Sequence, residues 1–181
     1  MEAILLINTD DILFYTNASP NIDSYKVNPH ILNAQLMYLE GVLGSDLYDK
    51  LLSLVDSGDI DEVAYANYKT LLSDYIAPYL VMRTMELYVP LNAFQIADGG
   101  AYQHSATNAT TSRLDEIDKI SKKYQIIGQG HESRLTKYLC KYSDNFVEYT
   151  TNDGLVKKTP STMRASGWNL NKSNVKYPFK R

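Results

Sequence analysis

One cysteine, Cys140, is all the sequence holds, so the chain can close no internal disulfide and build no multi-cysteine zinc site. Its expected place is a helix, as a small buried hydrophobe. Apolar runs are short too. Nothing approaches the roughly 18 consecutive apolar residues that a membrane-spanning helix needs. The stretch from Ala3 to Ile7 follows Glu2 without a basic flank and does not read as a secretory signal. The expectation is a protein made in a cytosol, with no membrane among its partners.

Signatures of catalysis are missing as well: there is no GxSxG elbow, no GxxxxGK phosphate loop and no CxxC pair. The histidines His30, His104 and His131 lie far apart, and none has a partner at metal-ligand spacing on a helix. Asp56, Asp59, Asp61 and Glu62 crowd one turn, but a calcium loop needs alternating oxygens, a central glycine and a distant glutamate in one frame of about twelve residues. Gly128-Gln129-Gly130 follows a helix and not a strand, so it reads as a helix stop instead of a phosphate cradle. The sequence therefore predicts no catalytic residue, no metal and no cofactor, and the chain is not read as an enzyme.

What the chain does have is a sharp division of charge. Residues 1–150 carry eleven Lys and Arg against twenty Asp and Glu, a formal −9, while residues 151–181 carry seven against one, a formal +6, within a total of −3. Blocks of one sign act as interaction tails. Lys157, Lys158, Arg164, Lys172, Lys176, Lys180 and Arg181 supply the positive charge, and Trp168, Tyr177 and Phe179 stand among them as candidate anchors. Large apolar residues come singly there, without helical periodicity, so the segment is expected to order only on a surface that a partner supplies. That partner could be nucleic acid, with phosphates on the cations and bases stacked on the rings. It could instead be an acidic protein surface with pockets for the aromatics. Single spacing of the charges and the −9 body favour protein. Tyrosine is the other excess, fifteen against four Phe and one Trp. Its apolar ring and polar tip suit surfaces half buried between molecules, or the edge of an ordinary helical core.

Three regions follow from the pattern: an irregular lead-in over 1–26, a helical bundle over 27–144 and an extended basic arm over 145–181. The fold class is all-α, a small bundle of five or six helices with a protruding loop or β-hairpin. In the lead-in, Thr9 is expected to cap a short turn from Asp10 to Tyr15 that stays outside the core. Asn28 and Pro29 predict a helix start, with Leu32, Leu36, Leu39 and Leu43 inward and an end near Gly41 to Gly44. Ser45 opens a helix burying Leu47, Leu51 and Leu54 that Ser57-Gly58-Asp59 closes. A third runs from Asp61 to Ser73 with Tyr65, Tyr68, Leu71 and Leu72 inward. Then either Asp74 caps a separate helix from Tyr75 to about Ala97, or one long helix bends at Pro78. Its stripe is Ile76, Tyr79, Leu80, Arg83, Leu87, Leu91 and Phe94. Ser112 and Asp115 resemble a capping box for a helix with Leu114, Ile117, Ile120, Tyr124 and Ile127 inward, stopped at Gly128, and a last helix covers Glu132 to Tyr142. Between them, Asp98 to Ser112 has no helical face. A polar loop of that length is a contact candidate, through Tyr102, Gln103, His104 and Asn108.

Certain residues carry a likeness to a known family. They are Asn28-Pro29-His30-Ile31-Leu32-Asn33-Ala34-Gln35, then Leu43-Gly44-Ser45-Asp46-Leu47-Tyr48-Asp49-Lys50-Leu51, then Tyr68-Lys69-Thr70-Leu71-Leu72 and Ile76-Ala77-Pro78-Tyr79-Leu80. The stretch from Val27 to Leu91 resembles the head-to-tail connector, or adaptor, proteins of tailed bacteriophages, most closely those of crAss-like phages. The resemblance implies a structural virion protein, repeated in about twelve copies as a ring whose subunits meet through a heterologous interface. Such a ring lies at the head-tail junction between portal protein and tail, contacts other tail or ring proteins, and passes DNA through its bore without sequence-specific binding during ejection. An acidic lining would let DNA slide. By position, 98–112 is the candidate for the bore or a neighbouring copy, and 145–181 for an arm on the portal or the next ring. The alternative is a helical nucleic-acid-binding accessory protein that uses its basic arm.

Overall fold

Ile76 through Met85 are buried without a break. A computed structural model describes residues 3–97, 100–103 and 114–151, and in it this stretch opens helix α6 (Ala77–Asn92) as an element enclosed on every side, not an amphipathic one. Two long elements flank it. Helix α7 (Leu114–Lys141) makes the most extensive packing along α6, and helix α2 (Ser24–Ala34) covers another part of it, with the short helix α1 (Thr9–Tyr15) also in contact. The architecture is the expected all-α bundle with one β-hairpin. In the hairpin, β1 (Phe94–Ala97) pairs antiparallel with β2 (Gly100–Gln103), Phe94 opposite Gln103 and Gln95 opposite Tyr102. It begins four residues earlier than the sequence break that suggested it.

The lead-in is part of the core, contrary to expectation. Leu6, Ile7 and Ile12 are buried, and Gln35, itself fully enclosed, ties the segment down. The Gln35 side chain accepts from the Leu6 N–H at 2.8 Å and donates to the Ile4 carbonyl and the Tyr48 hydroxyl, each at 3.2 Å. Asn8, and not Thr9, caps α1: Asn8 accepts from the Asp11 N–H while the Asp11 carboxylate accepts from the Asn8 N–H. Helix α2 likewise starts earlier than Asn28. Asp23 accepts the Tyr25 N–H at 3.0 Å, and Pro29 lies inside the helix on an exposed position, where water can serve the carbonyl that proline leaves unpaired.

A π-helical turn at Gln35–Leu39 then leads into α3 (Glu40–Leu43) and explains why the expected leucine stripe is half wrong. The wider turn carries Leu36 to the surface, 51% exposed, and turns Gln35 and Leu39 inward below Val27 and Ile31. Gly44, at φ 83° and ψ 153°, separates α3 from α4 (Ser45–Ser57), whose Leu47, Leu51 and Leu54 are buried as expected. Gly58 ends α4 in the left-handed conformation.

The third helix is shorter than predicted. Two 3-10 turns, Asp59–Asp61 and Val63–Tyr65, precede α5 (Ala66–Leu71), because the acidic run and Tyr65 find no continuous buried face. From Ala66 to Asn92 the backbone stays helical, so Asp74 caps nothing. A second π-helical turn, Leu72–Ile76, places the Ala77 N–H on the Leu72 carbonyl just before Pro78, whose missing N–H falls in the first turn of α6.

Gly128 is not a helix stop. Helix α7 runs unbroken through Gly128 and Gly130, and at Gly128 it lies close against α6. A Cβ placed there would lie 3.3 Å from Arg83 Nε and 3.5 Å from Met82 Cβ, whereas at Gly130 nothing lies within 4 Å. After a 3-10 turn, Ser143–Asn145, the chain returns to the core through Phe146 and α8 (Val147–Thr151), with Phe146 and Tyr149 buried. The boundary expected at 144/145 is thereby corrected: Phe146 and α8 belong to the body.

Gly130→Ala should stabilise the protein by about 0.5–1 kcal/mol through helix propensity alone. At Gly128→Ala that gain should be outweighed by crowding against Arg83, with a net loss of about 1–2 kcal/mol. Opposite signs in urea denaturation of the two variants would bear this out, and two stabilised variants would refute the close approach.

Candidate functional site

Facing Gly128 is a buried cluster of charge. Arg83 pairs with Glu86 at 2.8 Å and with Glu132 of α7 at 2.9 Å, and its guanidinium lies over the rings of Tyr38 and Tyr79 at 4.7 and 5.5 Å. Burial opposes the charge, but hydrogen bonds to Glu86, Tyr79 and Glu132 hold the pKa of Arg83 above its ordinary value. Burial, then the Glu132 charge, pushes the Tyr79 phenol up to about 12. Glu86, Glu132 and Tyr79 all engage the guanidinium, so the cluster clamps α6 to α7, while Arg83 Nε is buried without a hydrogen-bond partner. Arg83→Met should cost about 3–5 kcal/mol, because it takes the neutralising cation from Glu86, whose side chain is only 12% exposed. A denaturation midpoint unchanged from wild type would contradict that role.

The second feature lies at the surface. Tyr75 and Tyr138 stack at 3.9 Å, Tyr138 meets Tyr142 at 4.9 Å, and the row continues inward through Phe146 to Tyr68 and Tyr65. Arg134 lies over Tyr75 at 4.5 Å and donates to the Asp74 carbonyl at 2.9 Å, and Lys141 lies over Tyr142 at 4.8 Å. With Lys137 these groups line an open groove of about 380 Å³. No acid occurs on α7 after Glu132, so Arg134, Lys137 and Lys141 make a positive stripe on a body whose net charge is negative. Tyr68 is held by a 2.7 Å hydrogen bond to Glu148, and burial followed by that contact raises its pKa. What the groove offers is cationic and hydroxyl donors around rings already stacked on each other.

Of the residues singled out from the sequence, Tyr102 and Gln103 lie in β2, opposite Gln95 and Phe94. His104 and Asn108 lie outside the described residues, as do Lys157, Lys158, Arg164, Trp168, Lys172, Lys176, Tyr177, Phe179, Lys180 and Arg181. The groove is not legible in the sequence, where Glu132 to Tyr142 reads as a separate last helix although it continues α7. The sequence does hold one hint, the acid-free run from Ser133 to Ser143 with three cations in a body of net negative charge. Several expected core positions of α7 are also exposed, among them Leu114, Ile120 and Ile127. Cys140 is half-buried on α7.

Among the described residues no three His, Cys, Asp or Glu side chains converge as a metal site, and no helix is long and apolar enough to cross a membrane. His30 is packed edge-to-face on Tyr88 at 5.6 Å, and burial lowers its pKa; burial and then Arg134 lower that of His131. Both are disfavoured as cations in the folded state. Their contribution to stability is present above the unfolded value of about 6.5 and lost as pH falls through the lower folded values. Melting temperature should therefore drop between about pH 7.5 and 5.5, and the drop should shrink in the His30→Gln, His131→Gln double variant. An identical pH profile in that variant would show the histidines to be uninvolved.

Comparison with known proteins adds a family and no activity. No curated protein and no solved structure matches the chain. Residues 39–159, two thirds of the sequence, match a family of unknown function (DUF6712), a match that takes in α4, α6, the groove and the core of α7. The chain belongs to that family.

Proposed function

We propose that this chain is the repeating subunit of a ring that joins the portal to the tail in a tailed-phage virion and lines the channel through which DNA leaves. The role is structural and involves no catalysis. The observation that carries the reading is that the residues resembling connector proteins make one physical unit. Gln35 of the Ala-Gln pair is hydrogen-bonded to Tyr48 of the Leu-Tyr-Asp junction, and Ile76 to Leu80 lie wholly inside.

A closed ring needs two different surfaces on each subunit. Exposed apolar side chains occur on several elements, among them Leu36 and Met37 on the first π-helical turn, Val63 ahead of α5, and Ile120, Ile126 and Ile127 on α7, so more than one face can take part in a contact. A body of −9 repels DNA, as a channel lining should, while the +6 segment from residue 151 onward can engage an acidic partner such as the portal or a neighbouring ring. Many copies make weak arms sufficient, because each bound arm raises the effective concentration of the rest.

Incubation of the full chain with the portal protein of a tailed phage should give rings of about twelve copies in negative-stain micrographs. A chain ending at Thr151 should lose portal attachment and keep its melting temperature. Unimpaired attachment of the truncated chain would remove the arm from the interface. If truncation instead abolishes only salt-sensitive DNA binding, the chain is a nucleic-acid accessory protein.

A further inference from the structure

The groove on α7 has a complement on the same molecule. At the end of α4, Asp56, Asp59, Asp61 and Glu62 crowd the turn made by Gly58, and Val63 projects beside them at 94% exposure. Lys69 pairs with Asp61 at 2.9 Å, and the other acids of this corner have no ion pair among the described residues. In the groove, Lys137 and Lys141 likewise have no ion pair among the described residues. Within one chain the two surfaces are held apart by the row Tyr65, Tyr68, Phe146 and Tyr138. No ion pair joins them within the chain among the described residues, which leaves both open to a second copy.

We infer that the Arg134, Lys137 and Lys141 groove of one copy receives the Asp56 to Val63 corner of the next, giving the ring its head-to-tail contact. The inference rests on the ring reading and supplies its residues. The three cations span about 10 Å along the helix, enough for two or three carboxylates of a tight turn. Tyr75, Tyr138 and Tyr142 offer hydroxyl donors at the rim, and Val63 brings an apolar side chain to a groove whose walls are aromatic. Nucleic acid fits less well. Tyr75 is stacked against Tyr138 and covered by Arg134, so its faces are not open to a base.

Because groove and corner are different surfaces, charge reversal gives a self-checking test. Lys137→Glu with Lys141→Glu reverses the groove, and Asp56→Lys with Glu62→Lys reverses the corner; all four positions are exposed, so circular dichroism should show unchanged folding. In sedimentation velocity of the full chain, with portal present, each variant alone should weaken assembly by about tenfold or more. An equimolar mixture of the two should assemble again, since reversed grooves then meet reversed corners in alternation. If wild type assembles and both variants do so equally well, the pairing is wrong and the ring stands. If wild type remains monomeric with portal at every concentration, the ring reading itself fails and takes the pairing with it. Should the groove variant assemble normally but lose binding of a single-stranded oligonucleotide, the groove is a nucleic-acid site and the pairing is overturned.

Discussion

The contact between α6 and α7 at Arg83 and Gly128 is the constraint on which the rest depends. Helix α6 is enclosed from Ile76 to Met85, so a cation within it must find its counter-charges inside the fold. Glu86 comes from the next turn of the same helix, but Glu132 has to arrive from α7, and it can do so only if the α7 backbone approaches closely enough. The absence of a side chain at Gly128 permits that approach. The pairing fixes the axial register of the two longest helices. With it comes the position of everything downstream on α7, including the basic groove and the α8 return.

A second pin acts on the other side of α6. Gln35 sits at a π-helical turn that redirects its amide into the interior, where it joins the amino-terminal segment, α2 and α4 through three hydrogen bonds. Buried polar groups of this kind hold a unique arrangement because each partner would be stranded by a shift of register. The two π-helical turns have a common consequence. Each lets a long helix change the face it buries without breaking, first beneath the amino-terminal segment and then at the entry to α6.

Such a body is rigid where it is enclosed and chemically distinctive only at its edges. Tyrosines among the described residues divide accordingly. Tyr79 and Tyr48 are core residues with polar tips tied to neighbours, while Tyr75, Tyr138 and Tyr142 form the wall of an open groove. For a protein proposed to work as one member of a ring, useful chemistry at the edge is charge and shape complementarity, which sets specificity and encounter more than it sets affinity.

Sequence alone determined the fold class, the buried face of α4 with its Gly58 stop, the buried entry to α6 and the contrast between an acidic body and a basic end. These are local or compositional facts: a four-and-three leucine spacing or a left-handed glycine is legible without knowing what lies opposite. Tertiary structure decided the rest. The amino-terminal segment enters the core because Gln35, thirty residues away, supplies its hydrogen bonds, and the leucine stripe of α2 and α3 fails because a π-helical turn breaks the 3.6-residue period on which it was read. Gly128 looks like a stop signal in one dimension and becomes a contact point in three, since only the nearness of Arg83 tells a glycine that ends a helix from one that lets two helices meet. The groove could not be read for the same reason: Tyr75 and Tyr138 lie far apart in the chain, and only the register of α6 against α7 brings them into one wall.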